Sequence, residues 1–285
     1  MSSGTRIAII GLGLMGGSLA RAVAARGAHV LGYDADEACT ADAMRAGVVH
    51  EALTARLDGI ESAELVVIAL PVDATVKLIE RDGGALGSAA LVMDVASTKQ
   101  SIIAAAEAAG LAPRYVGSHP LTGSHRSGWT ASRIGLFDDA RVFLCPTTRT
   151  TDDALRRAES FWRGLRASTE AIAPELHDRE MAWRSHLPHL LSATLALTLA
   201  GEGVRRSALG PGGRDMTRLA GGSPAMWWPI VADNALEIAR ALDACEQRLC
   251  ELRHAVCSGE QAAVAGLLED ARRWFDGDPA VAPID

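Results

Sequence analysis

Short apolar runs alternate with stretches of helical spacing through the first 170 or so residues of the chain. The runs at 6–10, 29–33, 65–70, 91–95, 115–117 and 141–145 are brief and mostly rich in Val or Ile, which predicts buried strands. Between most of them, at 15–26, 36–46, 73–80 and 99–109, apolar residues recur every three or four positions and predict helices. The alternation predicts βαβ units around a parallel sheet. A helix at 152–165 and a short strand near 169–172 complete this half.

After Pro174 the pattern turns wholly helical. Residues 175–200 can form one long helix interrupted only by Pro188, 229–256 another, and 258–274 a third. A Gly-rich segment, 210–222, lies between the first two and carries Arg214, Asp215 and Arg218. The expected organisation is a sheet domain over 1–172 and a helical domain over 173–285, with a frayed tail after Gly277. The longest apolar run, 190–200, is too short to span a bilayer and reads as a buried helix.

Composition narrows the function classes. The chain has 285 residues, 48% hydrophobic and 22% charged, enough for two cores, and aromatics reach only 4%. A net charge of -7 argues against nucleic acid or an anionic membrane as the main partner. Five cysteines, an odd number without CxxC spacing, predict free thiols in a reducing compartment. The predicted strand starts too near the N-terminus to leave room for a signal peptide, and a cytoplasmic location is expected.

The first strand runs directly into Gly11-Leu12-Gly13-Leu14-Met15-Gly16, which opens the first helix. The first glycine permits the tight turn, the second lets backbone approach a pyrophosphate, and the third lets helix pack on strand. Leu14 and Met15 then present helix N-terminal N–H groups to the phosphates. Asp34 ends the second strand about 20 residues on, where a carboxylate accepts ribose hydroxyls and repels a 2′-phosphate. The expected cofactor is NAD.

Four further segments carry chemistry. They are Asp94-Val95-Ala96-Ser97-Thr98-Lys99 and Gly117-Ser118-His119-Pro120-Leu121-Thr122-Gly123, each leaving a strand. Ser185-His186-Leu187-Pro188-His189-Leu190 follows on the first long helix, then Gly213-Arg214-Asp215-Met216-Thr217-Arg218, running on to Ser223-Pro224-Ala225-Met226-Trp227. In this order, behind an N-terminal dinucleotide fingerprint, the set resembles the prephenate/arogenate dehydrogenase family of tyrosine biosynthesis, over roughly residues 6–275.

The resemblance implies a Rossmann-type doubly wound sheet followed by an all-helical dimerisation domain. It implies NAD-dependent oxidative decarboxylation of prephenate to 4-hydroxyphenylpyruvate by a homodimer. His119 is then the acceptor of the ring-hydroxyl proton, an imidazole being suited to base catalysis near neutral pH. Ser97 supports it. Arg218 holds the ring carboxylate, since a guanidinium fork binds carboxylate bidentately and keeps its charge. Arg214 is a second cation, His189 contacts the substrate side chain, and Trp227 packs the pocket wall.

His186 shares a helix face with His189 and is either structural or part of the site; a metal is not expected, for no carboxylate or Cys stands at ligand spacing. Lys99 orders the cofactor side or sits solvated at a helix start. The run Gly123-Ser124-His125-Arg126 departs from the family, which often has an acidic residue there. His125, with Ser124 beside it, could donate to the side-chain keto oxygen, which would favour prephenate. The same reaction on arogenate or 4-amino-4-deoxyprephenate stays open. A β-hydroxyacid dehydrogenase typically relies on a lysine in its second domain, and this one has none. A NAD-binding sensor without catalysis would not need His119, Ser97 and Arg218 together.

Overall fold

The computed structural model describes residues 4–123 and 126–277. Eight strands, β1 (Arg6–Ile10), β2 (His29–Tyr33), β3 (Glu51–Ala52), β4 (Leu65–Ile68), β5 (Leu91–Asp94), β6 (Tyr115–Pro120), β7 (Arg141–Pro146) and β8 (Ser168–Ala171), form one sheet in the order 3-2-1-4-5-6-7-8. All neighbours run parallel except β6 and β7, which are antiparallel with His119 opposite Phe143. The order reverses at β1, between β2 and β4, so a crevice for ligands opens at the carboxyl ends of the strands.

Alternate strand residues feed two cores, as a sheet buried on both faces requires. Ile7, Ile9, Val67 and Met93 pack with α1 (Leu14–Ala24), α2 (Glu37–Arg45) and α5 (Asp152–Gly164). Ala8, Ile10, Val66 and Val92 face α3 (Val72–Leu86) and α4 (Gln100–Ala108). Thr151 caps α5 by accepting from the Ala154 amide, and Asp36 caps α2 the same way from Ala38.

Beyond the sheet come α6 (Pro174–Met181), a π-helical turn over Ala182–His186, α7 (Leu187–Gly201), α8 (Pro211–Met216) and α9 (Pro224–Asp233). The sequence predicts one helix over 175–200, and the chain is indeed helical there, but wide at 182–186. Pro188 has no N–H to give the Arg184 carbonyl, and its ring crowds that oxygen, so the turn before it opens. The expected single helix over 229–256 is two helices. A helix starts earlier, with Pro224 in its first turn, and ends at Asn234, whose amide nitrogen donates to the Asp178 carbonyl 2.8 Å away. Strand β3 is two exposed residues long and leaves no apolar pattern to read.

Residues 1–235 form one compact unit and 236–285 a second. The second holds nearly all of α10 (Ala235–Cys257), with α11 (Gln261–Phe275). Leu252, Ala255, Val264, Leu267 and Trp274 line a groove between these two helices. Leu249, Val256, Leu268 and Phe275 stand exposed on them.

At the end of β5, Asp94 is wholly buried and ties down the loop that follows. It accepts from the Ala96 amide (2.9 Å) and the Tyr115 hydroxyl (2.8 Å), and pairs with the ammonium of Lys99, itself wholly buried. Lys99 is therefore not solvated at the helix start but an internal strut. Removing one member of a buried pair strands the other. Lys99→Met is expected to cost about 3–5 kcal/mol, seen as a lower urea midpoint at unchanged slope; a cost below about 1 kcal/mol would show that Tyr115 and the Ala96 amide hold Asp94 unaided.

Candidate active site

The strand–helix turn at the head of β1 is built for close approach. Gly11 has φ +92, and a Cβ there would lie 2.5 Å from the Ala69 carbonyl oxygen. A Cβ on Gly16 would be driven into the Gly11 carbonyl, whereas Gly13 has open space around it. Gly13 is the N-cap of α1 and brings no side chain, so the first-turn amides of Leu14, Met15 and Gly16 are left for a ligand. Asp34 leans over this turn, accepting from the Leu12 amide at 2.6 Å and from the Asp36 amide at 2.9 Å. The open glycine, the bare helix start and a carboxylate beside them fit a dinucleotide with an unphosphorylated ribose.

A cleft of about 960 Å³ lies at the carboxyl edge of β5 and β6, walled by α6, the π turn, α7 and α9. Ser97, His119, Ser185, His186, His189, Arg218 and Trp227 all line it. Ser97 is brought there by the loop that Asp94 folds back, and His119 by the last turn of β6. Of three arginines in the wall, Arg141 pairs with Glu170 and Arg184 with Glu180, while no carboxylate among the described residues neutralises Arg218. His189 lies over Trp227 with ring centroids 4.0 Å apart, and its Nδ1 donates to the Ser185 carbonyl at 3.0 Å. The buried indole nitrogen of Trp227 has no partner among the described residues.

Two histidines of the cleft, His119 and His186, are held neutral. Burial pushes His119 well below the usual imidazole range, helped by His177, Lys99 and His186. Burial brings His186 down to about 4. Its Nδ1 faces the Asn234 amide nitrogen at 3.2 Å. That nitrogen also donates to the Asp178 carbonyl, which can only accept, so His186 Nδ1 is an acceptor and its proton sits on Nε2. Behind His119, its Nδ1 meets His177 Nε2 at 2.9 Å, and His177 Nδ1 meets Asp178 Oδ1 at 2.7 Å. Burial lowers His177 despite Asp178 raising it, and hydrogen bonds from His177 and the Gln100 amide keep Asp178 ionised against its own burial.

The structure thus gathers Ser97, His119, His189, Arg218 and Trp227 into one cleft. Arg214 is exposed on α8 and does not line it. Ser124 and His125 lie outside the described residues. His177, Asp178 and Asn234 were not singled out by sequence reasoning. His177 and Asp178 read as ordinary polar positions of a helix, and Asn234 fell inside a helix expected to continue. Among the described residues no group of three or more His, Cys, Asp or Glu side chains could hold a metal ion.

A neutral imidazole in one cleft with a guanidinium that no carboxylate among the described residues neutralises, on the ligand edge of a doubly wound sheet with a dinucleotide turn, suits oxidation of an anionic alcohol. The class so defined is the nucleotide-dependent dehydrogenases with a helical region after the sheet. Residues 19–171 match the family model for the prephenate dehydrogenase nucleotide-binding domain, and 173–270 the one for the prephenate dehydrogenase dimerization domain. The chain belongs to the prephenate dehydrogenase family. A prephenate dehydrogenase of Bacillus subtilis is 32% identical over 283 residues, covering 96% of this chain and 76% of the relative. A cyclohexadienyl dehydrogenase of Zymomonas mobilis is 32% identical over 261 residues, 88% of each. The solved prephenate dehydrogenase of Aquifex aeolicus, in complex with hydroxyphenyl propionate and NAD+, superposes with a TM-score of 0.86 at 28% identity, covering 97% of this chain and 99% of that one.

The depressed His186 has a consequence for stability. Below about pH 6.5 the unfolded chain binds a proton that the folded chain refuses until about pH 4, so this contribution is complete above 6.5 and is lost as pH falls. Its full span is on the order of 3 kcal/mol. Urea unfolding at pH 7, 5.5 and 4.5 should show stability falling, with a shallower fall in His186→Gln. Equal pH slopes for the two proteins would show that His186 is not the group held neutral.

Proposed function

We propose that the chain is an NAD-dependent prephenate dehydrogenase: it oxidises the ring alcohol of prephenate, releases the ring carboxylate as CO2 and forms 4-hydroxyphenylpyruvate. The observation that carries this reading is the presence, in one cleft, of a neutral His119 and an Arg218 that no carboxylate among the described residues neutralises. Family membership supports it.

NAD, when bound at the glycine turn, supplies the hydride acceptor. The chain supplies the rest. His119 accepts the hydroxyl proton as the carbinol carbon becomes a ketone, and Ser97, on the same wall, orients that hydroxyl. Arg218 clamps the ring carboxylate until the C–C bond breaks and its electron pair enters the ring, which aromatises. His186 offers its Nε2–H to the oxygens of the side chain; Trp227, with the His189 ring tilted over it, closes that end. Asp34 favours NAD over NADP by occupying the place a 2′-phosphate would need.

Helices α10 and α11 join two copies. The dimerization-domain match and the exposed Leu249, Val256, Leu268 and Phe275 support a homodimer. The five free thiols suit a reducing, cytoplasmic setting.

Steady-state assays with prephenate and arogenate, each with NAD+ and NADP+, test the activity. Turnover of prephenate with NAD+ is expected, and no turnover of either acid would overturn the reading. His119→Asn should lower kcat by about 10²–10⁴ while NAD+ still binds. Arg218→Ala should chiefly raise KM for prephenate, because a clamp acts in ground and transition states alike; an unmoved KM would assign the clamp to another residue. Sedimentation at micromolar concentration should give a dimer, and a monomer would refute the assembly.

A further inference from the structure

On the side of His119 away from the cleft stands a hydrogen-bonded chain of two buried residues that make no contact with the cleft themselves. His177 is wholly buried and Asp178 2% exposed. The Asp178 carboxylate can only accept, and it does so from the backbone amides of Lys99 (2.8 Å) and Gln100 (2.9 Å) as well as from His177 Nδ1. A neutral His177 that gives its one proton to Asp178 has a bare Nε2. The His119 Nδ1 that meets it must then carry the hydrogen, and the nitrogen left for the cleft is His119 Nε2, unprotonated.

We infer that His177 and Asp178 are positioning residues that hold His119 as its Nδ1–H tautomer and so present Nε2 as the base. The inference rests on the reading of His119 as the proton acceptor of a dehydrogenase. An imidazole without such a partner samples both tautomers, and the one protonated at Nε2 would set a donor against the substrate hydroxyl. When Nε2 takes the hydroxyl proton, an O–H bond breaks and an N–H bond forms. The charge gained by His119 is then stabilised, with no further proton moved, by the Nδ1–H bond to His177, which is itself bonded to an anion held by two amides at the start of α4. Of the other charged neighbours, Lys99 disfavours a charge on His119, an effect its pairing with Asp94 offsets in part, and His186 is neutral. The arrangement parallels the carboxylate that orients the histidine of serine hydrolases, with one imidazole interposed.

The competing role for His177 is packing, since its ring meets His119 and Phe143 edge-on, with centroids 5.1 and 5.6 Å apart. Two variants separate the roles. His177→Phe keeps the ring and removes both nitrogens. His177→Gln loses the ring but can keep an acceptor toward His119 and a donor toward Asp178. With prephenate and NAD+, His177→Phe should lose about 10²-fold in kcat at nearly unchanged KM for both, and His177→Gln should recover about tenfold of that loss. A packing role predicts the reverse order. Nitrogen-15 NMR of histidine-labelled protein, with His119 identified by its absence in His119→Asn, reads the tautomer directly. Wild type should carry the His119 proton on Nδ1, and His177→Phe should show a mixture. A proton on Nε2 in wild type, or a kcat in His177→Phe within about twofold of wild type, would overturn the inference. Should wild type fail to oxidise prephenate, the activity reading falls while the NMR result still decides the tautomer. Should His177→Phe fail to fold, wild type and His177→Gln carry the test.

Discussion

The Asp178 carboxylate, nearly free of solvent, accepts from two amides at the start of α4 and from the ring of His177. Its own carbonyl receives the amide of Asn234 at the end of α9. One residue thereby pins four parts of the site: the helix after β5, the histidine behind β6, the end of α9 and, through Asn234, the ring of His186. A buried anion costs several kcal/mol unless its oxygens are filled, and here three donors fill them. That cost is what makes the anchor specific, because no shifted packing of α6 returns all three donors.

A second buried anion, Asp94, plays the matching part on the sheet side. Its three partners fold the 95–99 loop back so that Ser97 faces the cleft while Lys99 points inward. The loop is tight: a Cβ on Gly117 would sit 3.1 Å from the Lys99 side chain. The Thr98 hydroxyl, also buried, finds no partner among the described residues, an uncompensated polar group beside the site. The two anchors leave the cleft with His119 and His186 neutral and with an Arg218 that no carboxylate among the described residues matches, a field suited to an anion.

Much of this was legible in the chain. The glycine turn, Asp34 and the strands around them follow from local rules, because a parallel sheet writes its buried strands as continuous apolar runs. His119, Arg218, His189 and Trp227 stood in motifs and meet in the cleft. What escaped was set by long-range partners. Lys99 looks like a helix-start lysine until Asp94 and Tyr115 close around it. His177 and Asp178 look like a solvated helix face until β6 and α4 cover them. The break at Asn234 exists because its side chain bonds Asp178, 56 positions earlier, and no local propensity announces such a bond. Arg214 shared a motif with Arg218 but lies on a six-residue helix that turns its side chain outward.

The wide turn over Ala182–His186 acts as a phase shifter between two helical faces. A helix advances about 100° per residue, so the extra residue taken up there rotates everything after it relative to His177 and Asp178. The upstream segment can therefore face the sheet while Ser185, His186 and His189 face the cleft. This segment should consequently tolerate exchanges of residue type better than changes in residue number: shortening it by one would make a more regular helix, yet swing the cleft wall out of register. The irregularity is a length constraint on the gene, invisible in any single side chain.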